Sequence, residues 1–173
     1  MTHARWVRPV VTLVLGAAVA FGTLPAGAAP QAGACQLLTP DELRAALSSS
    51  FQPGSPYSAG TGTTCGYDGI GPVRGATVRI ARGKQASVAM AKTLKALRDT
   101  LKSIHSEPPT KVAGLGDKAY YSLDDFLDEG SIEVLHGKTF VQVTAIVASR
   151  GDTALVSEAI LRGLAKQALK RAK

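Results

Sequence analysis

The chain has little with which to perform most enzyme chemistry. Beyond an N-terminal stretch that reads as a leader, it holds only two histidines, His105 and His136, and neither sits in a recognisable nucleophile motif. A hydrolase triad has no support here. Two distant histidines and two cysteines also leave no nitrogen–sulfur cluster for zinc. Gly114-Leu115-Gly116 precedes a strand-like segment instead of opening a helix, so it lacks the helix N-terminus that phosphate or dinucleotide binding uses. None of these patterns calls for a cofactor or a metal, and the chain reads as non-catalytic. Aromatic residues are scarce, no internal repeat is present, and no apolar run reaches the roughly 20 residues that cross a bilayer as a helix.

What the N-terminus does contain is a targeting pattern. Arg5 and Arg8 precede an apolar run from Val10 to Phe21, which ends in Gly22, Pro25 and the small residues Ala26-Gly27-Ala28. This predicts a signal peptide over residues 1–28, cleavage after Ala28, a linker over 29–34 and one domain over 35–173, exported to the periplasm or the medium. A composition of 45% hydrophobic and 19% charged residues places that domain among globular proteins. Without the leader, 18 Lys and Arg face 13 Asp and Glu. Such a balance suits contact with anionic membrane or cell-wall polymer, and the export address argues against nucleic acid.

Cys35 and Cys65 both lie in the exported part, where an even count reads first as a disulfide. The competing reading makes Cys35 a lipid anchor, because Ala32-Gly33-Ala34 resembles the small residues that precede lipidated cysteines. However, Cys35 lies well past the apolar run, Ala32 stands where leucine is usual, and lipidation would leave Cys65 a free thiol.

Periodicity then orders the domain. Thr39 caps a helix expected over Pro40–Ser48, with a proline in the first turn and Asp41 and Glu42 facing the N-terminal dipole. The Ser/Gly/Pro-rich stretch Ser49–Gly62 has no period and is expected as a mobile loop. Strands follow at Thr63–Tyr67 and Ala76–Arg82. Met90, Leu94, Leu97, Leu101 and Ile104 then form one stripe of a helix over Gln85–Ile104. Strands at Lys118–Leu123, Ser131–Leu135 and Thr139–Val147 precede a last helix over Thr153–Arg171. The expected fold is α+β, in the order α-β-β-α-β-β-β-α, with an antiparallel sheet of about five strands and the helices packed on one face.

Three groups of residues also bear on family. Cys35-Gln36-Leu37-Leu38-Thr39 leads into the first helix, Cys65-Gly66-Tyr67 forms a strand, and Gly114-Leu115-Gly116-Asp117 precedes Ala119-Tyr120. In these the chain resembles a family of small exported bacterial domains of unknown function, often lipoproteins. The resemblance covers most of the exported part. It implies a bridge between the two cysteines and a structural role for the glycine turn, and it implies no catalytic residues.

The binding candidates lie on the sheet. If Val141, Val143, Ala145 and Val147 face the helices, then Phe140, Gln142, Thr144 and Ile146 face the other way, beside Arg79 and Tyr120. Arg79, Tyr120, Phe140, Gln142 and Ile146 would form a half-apolar open surface for a protein partner or a small apolar ligand. The bland alternative is that the Ser49–Gly62 loop or a second copy covers it. Two further features read as surface. Asp124-Asp125-Phe126-Leu127-Asp128-Glu129-Gly130 is expected as a solvated acidic loop, its spacing missing that of a calcium loop. Arg162, Lys166, Lys170, Arg171 and Lys173 make the last helix basic, which offers an alternative role in adhesion to anionic polymer. An envelope enzyme with an unrecognised site is the other alternative.

Overall fold

The computed structural model describes residues 33–58 and 61–173. The expected leader, its cleavage point and most of the linker lie outside the described residues. A single turn of 3-10 helix at Ala34–Gln36 leads into α1, Pro40–Leu47. Its start is a capping box: the Thr39 hydroxyl accepts from the Glu42 N–H at 3.3 Å, and the Glu42 carboxylate accepts from the Thr39 N–H at 2.8 Å. Next come β1, Ser50–Phe51; β2, Ser55–Tyr57; β3, Thr63–Ile70; and β4, Val73–Arg82. The long helix α2, Lys84–Ser103, is followed by β5, Thr110–Lys111; β6, Lys118–Asp124; β7, Glu129–His136; and β8, Thr139–Val147. A 3-10 segment at Arg150–Val156 and α3, Glu158–Arg171, complete the chain.

The strands form one antiparallel sheet in the order β1-β3-β4-β8-β7-β6-β5, with β2 also pairing along β3. The α+β class and the antiparallel sheet match the sequence reading, and α2 lies within one residue of its expected bounds. The strand count does not match: there are eight strands, not about five. The three additional strands are edge pieces of two or three residues, too short for an alternation to register. Two of them, β1 and β2, occupy the stretch expected as a mobile loop. Pro56 fits β2 because an edge strand can leave one side of its backbone without ladder bonds. The last helix also differs: Ser157 is extended, and it separates the 3-10 segment from α3.

Helices cover both faces of the sheet, not one. On the first face, Leu37, Leu38, Leu43 and Leu47 join Leu161 and Leu164 of α3 over Val78, Ile80, Ile132, Val134, Val141 and Val143. On the second, Ala86, Ala89, Met90 and Leu94 of α2 pack on Ala81 and Phe140. Strand order explains the placement. The chain must pass from β4 over β8 and β7 to reach β6, and the first face is occupied by α1 and α3.

Cys35 is bonded to Cys65. The bridge ties the entry of the domain to β3, and it occupies the sulfur that a lipid anchor at Cys35 would use. Closing a loop of 30 residues contributes about 3 to 4 kcal/mol in the chain-entropy account. Nearby, the buried Tyr67 hydroxyl donates to the Leu38 carbonyl at 2.8 Å, satisfying both groups. Gly116 (φ +62°) lets its turn run against β7, where a Cβ would stand 2.6 Å from the Leu135 carbonyl oxygen. The glycine turn is thus strand punctuation, as its sequence context suggests.

Candidate functional site: a cleft between α2 and a polar sheet face

Alternation gives the sheet two unlike faces. The first is aliphatic. On the second, the register places Ser122, Ser131, Thr144 and Thr77 in one row across β6, β7, β8 and β4. The next row holds Tyr120, Glu133, Gln142 and Arg79, continuing to Thr64 on β3. At the hairpin end, Asp124 stands directly opposite Glu129. Side chains of this kind on a sheet face are normally left to water. Here Ser122, Asp124, Ser131, Glu133 and Thr144 are all buried.

The N-terminal half of α2 sits close on this face because its contact residues include two alanines, and Phe140 beneath it has no exposed surface. The C-terminal half leaves a cavity of about 450 Å³. Ala96, Leu97, Thr100 and Leu101 form its roof, and Ser122, Asp124, Glu129 and Gln142 form much of its floor. Leu127 closes the hairpin end, while Arg79 and Lys92 stand at another part of the lining. A concave site with an apolar wall and a few converging polar groups is the usual form of a small-ligand site.

The floor rests on a hydrogen-bonded chain. Glu133, with no exposed surface, accepts from the Ser131 hydroxyl at 2.7 Å and from Gln142 Nε2 at 3.2 Å, both on Oε1. Ser131 lies 2.9 Å from the Ser122 hydroxyl. Because Ser131 has spent its one proton on Glu133, Ser122 is the donor in that pair. Glu133 Oε2 is buried and has no protein partner. Burial raises the Glu133 carboxyl to about 7, against the opposing pull of its bonds to Ser131 and Gln142. Glu129 is raised as well, first by burial and then by the neighbouring Asp124.

Arg79 is held from several sides. Its Nε and Nη2 donate to the Thr61 carbonyl at 3.0 and 2.6 Å, Nη1 donates to the Thr93 hydroxyl at 3.4 Å, and the guanidinium lies 5.9 Å from the centre of the Phe140 ring. Partial burial lowers its pKa.

No family model, curated protein or solved structure matches the chain. The site therefore rests on its geometry. Of the residues expected on an open face, Arg79 and Gln142 line the cleft. Phe140 does not: α2 buries it completely, and it can touch no partner. Tyr120 is half-buried at the border of the small core under α2, and Ile146 is a half-buried residue paired with Glu129 and Gly75. The main covering element is α2, and Thr61 of the Ser49–Gly62 segment also lines the cleft, its carbonyl accepting from Arg79.

The acidic segment is also corrected. Asp124 is buried, and its Oδ1 accepts the Phe126 and Leu127 N–H groups at 2.9 Å each, which fixes the hairpin turn. Asp125, Phe126 and Leu127 are exposed. Among the described residues, no group of three or more His, Cys, Asp or Glu side chains is placed to hold a metal ion. The sequence reading missed Ser122, Ser131, Glu129 and Glu133. Their signal was the alternation itself, polar at 122 and 124 and again at 129, 131 and 133.

Two cations of the basic helix are tied to other parts of the fold. Arg162 donates to the Ala113 carbonyl at 2.8 Å, and Arg171 grips Glu42. Lys166, Lys170 and Lys173 line a separate depression beside His136 and the glycine turn. His136 lies 3.8 Å from Asp117, and His105 follows the end of α2 with a positive φ; neither lines the cleft. No helix of the described residues is long and apolar enough to cross a membrane.

Proposed function

We propose that the chain is an exported, non-catalytic binding module of the cell envelope that holds a small ligand in the cleft beneath α2. The observation that carries this reading is a cavity that pairs an apolar helix wall, Ala96, Leu97 and Leu101, with a polar floor of Ser122, Asp124, Glu129 and Gln142. Burying such a floor costs stability, and a ligand that satisfies it recovers part of that cost. With Phe140 covered, a small ligand suits the site better than a flat protein partner. The signal-like leader, the disulfide and the likeness to small exported bacterial domains support the address.

The test is the native, unreduced mass of the protein recovered from its host's envelope, compared between wild type and Ala96→Trp. Ala96 is an exposed cleft residue, so the indole fills the cavity without entering the core. The expected species begins at Ala29, is two hydrogens light, and carries a non-covalent companion that Ala96→Trp lacks. The same companion on both proteins, or none on either, would overturn the reading.

A further inference from the structure

The fixed charges of the domain are sorted along the strand axis. At one end, β4 stops at Arg82 opposite the first residue of β8, β7 stops at His136, and β6 begins at Lys118. The start of α2 is tied to the β7–β8 turn there, the Gly83 N–H donating to the Lys138 carbonyl at 2.8 Å. Lys84 and Lys138, with Ser87, line a depression of about 330 Å³ on that side of the turn. On its other side, Lys166, Lys170 and Lys173 line a second depression of about 290 Å³ with His136 and the glycine turn. Spacings of four and three residues set these three lysines on one face at the end of α3. All five lysines are exposed, and among the described residues none of them forms an ion pair. Asp117, near His136, offsets part of this charge, and Glu42 is already matched by Arg171. The opposite end is acidic. Asp124 and Glu129 stand at the base of the β6–β7 hairpin, Asp125 and Asp128 lie in its turn, and Asp68 lies near the end of β3, against Arg74 and Arg150.

We propose that the basic end is a docking surface for an anionic phospholipid bilayer, with each depression taking the phosphate of a lipid headgroup. This does not depend on what the cleft beneath α2 holds. The cations come from three layers of the fold: the start of α2, the turn of the sheet and the end of α3. They therefore present to one plane across the strand ends, with the acidic end pointing away from it. A negative surface orients a molecule polarised in this way. A linear polyanion follows cations along a groove, whereas here the β7–β8 turn separates the two depressions. Ile70, Phe126 and Leu127 are exposed at the acidic end, so the basic end has little with which to enter the acyl region, and the contact is electrostatic.

The experiment is cosedimentation of the disulfide-bonded exported chain with vesicles of phosphatidylcholine alone and of an equimolar mixture with phosphatidylglycerol. The expected result is binding to the mixed vesicles at about 50 mM NaCl, about tenfold weaker or more at about 500 mM, and none to phosphatidylcholine. Lys84→Gln with Lys138→Gln, and Lys166→Gln with Lys170→Gln, each remove two exposed charges from one depression and should each weaken binding about tenfold or more. Arg98→Gln with Lys102→Gln removes the same charge from exposed positions of α2 that begin about 21 Å along the helix from Lys84, and should weaken binding by about twofold at most. Unchanged thermal midpoints establish that the variants remain folded. Four results would overturn the proposal: equal binding to both vesicle types or to neither, equal weakening by all three variants, loss in only one of the two depression variants, and capture of long-chain polyphosphate without vesicle binding, which would assign the surface to a polymer.

Discussion

Gln142 donates from Nε2 to Glu133 Oε1 at 3.2 Å, joining a half-exposed residue of the cleft floor to a carboxylate that has no exposed surface. The contact runs directly across β8 and β7, where the two residues are register partners. Through it, the protonation state of the buried acid is coupled to the surface that a ligand would touch.

That coupling predicts an unusual pH dependence. The Glu133 carboxyl titrates near 4.5 when exposed and near 7 in the fold. Between those values the native state keeps a proton that the unfolded chain has lost. Stability therefore declines as pH rises from about 4.5 to about 7, and the loss is complete above the folded value. The displacement corresponds to roughly 3 kcal/mol. Glu133→Gln, which cannot ionise, should stabilise the protein by about 2 kcal/mol at pH 8 and change little at pH 4.5. Urea unfolding of both proteins across this range checks it; a variant less stable than wild type at pH 8 would contradict the account.

Phe140 and Ile146 share a sheet face but differ in cover. Phe140 lies sealed under Ala86, Ala89, Met90 and Leu94, so Phe140→Ala should cost about 3 to 5 kcal/mol. Ile146, half-buried and outside that cluster, should cost about 1 kcal/mol or less on the same truncation. Thermal unfolding distinguishes the two, and equal small losses would mean that α2 does not seat on this face.

Arg171 and Glu42 connect the last helix to the first. Arg171 Nη1 and Nη2 donate to the two carboxylate oxygens at 2.6 and 2.7 Å, and Nη1 also reaches the Leu37 carbonyl at 3.1 Å. The bond to Arg171 is the main reason the Glu42 carboxyl lies below its ordinary value, with the Thr39 bonds adding to it against burial. The pair is partly solvent-exposed, so Arg171→Ala should cost only about 1 kcal/mol at pH 7. Because the folded carboxyl titrates lower than the unfolded one, this contribution is present above about pH 4.5 and disappears as the pH falls through the folded value. Arg171→Lys should recover less than half, since an ammonium cannot bridge both oxygens. Denaturant midpoints at pH 7 and pH 3 check both statements; an equal penalty at the two pH values would assign the effect to packing.

The limits of the sequence are plain in particular elements. Met90, Leu94 and Leu101 announced α2 because a helix stripe repeats over 20 residues, and Thr39-Pro40-Asp41-Glu42 announced α1 because a capping box is local chemistry. Alternation along Thr139–Val147 correctly divided the two faces of β8. β1, β2 and β5 were invisible because pairs and triplets of residues carry no period, and their partners on β3 and β6 lie elsewhere in the chain.

By itself, the sequence determined the cysteine pair, the long helix α2, the presence of the five long strands and the identity of the residues on each sheet face, while it ran the last helix through the break at Ser157. These follow from parity, capping and periods of a few residues. Only the tertiary structure decided that α2 crosses the second face, burying Phe140 and roofing Arg79 and Gln142 instead of leaving them open. The same crossing gathered Asp124, Glu129, Gln142 and Arg79 around one cleft. Strand order sets the crossing, and strand order is a long-range outcome of which strands pair and which face α1 and α3 occupy.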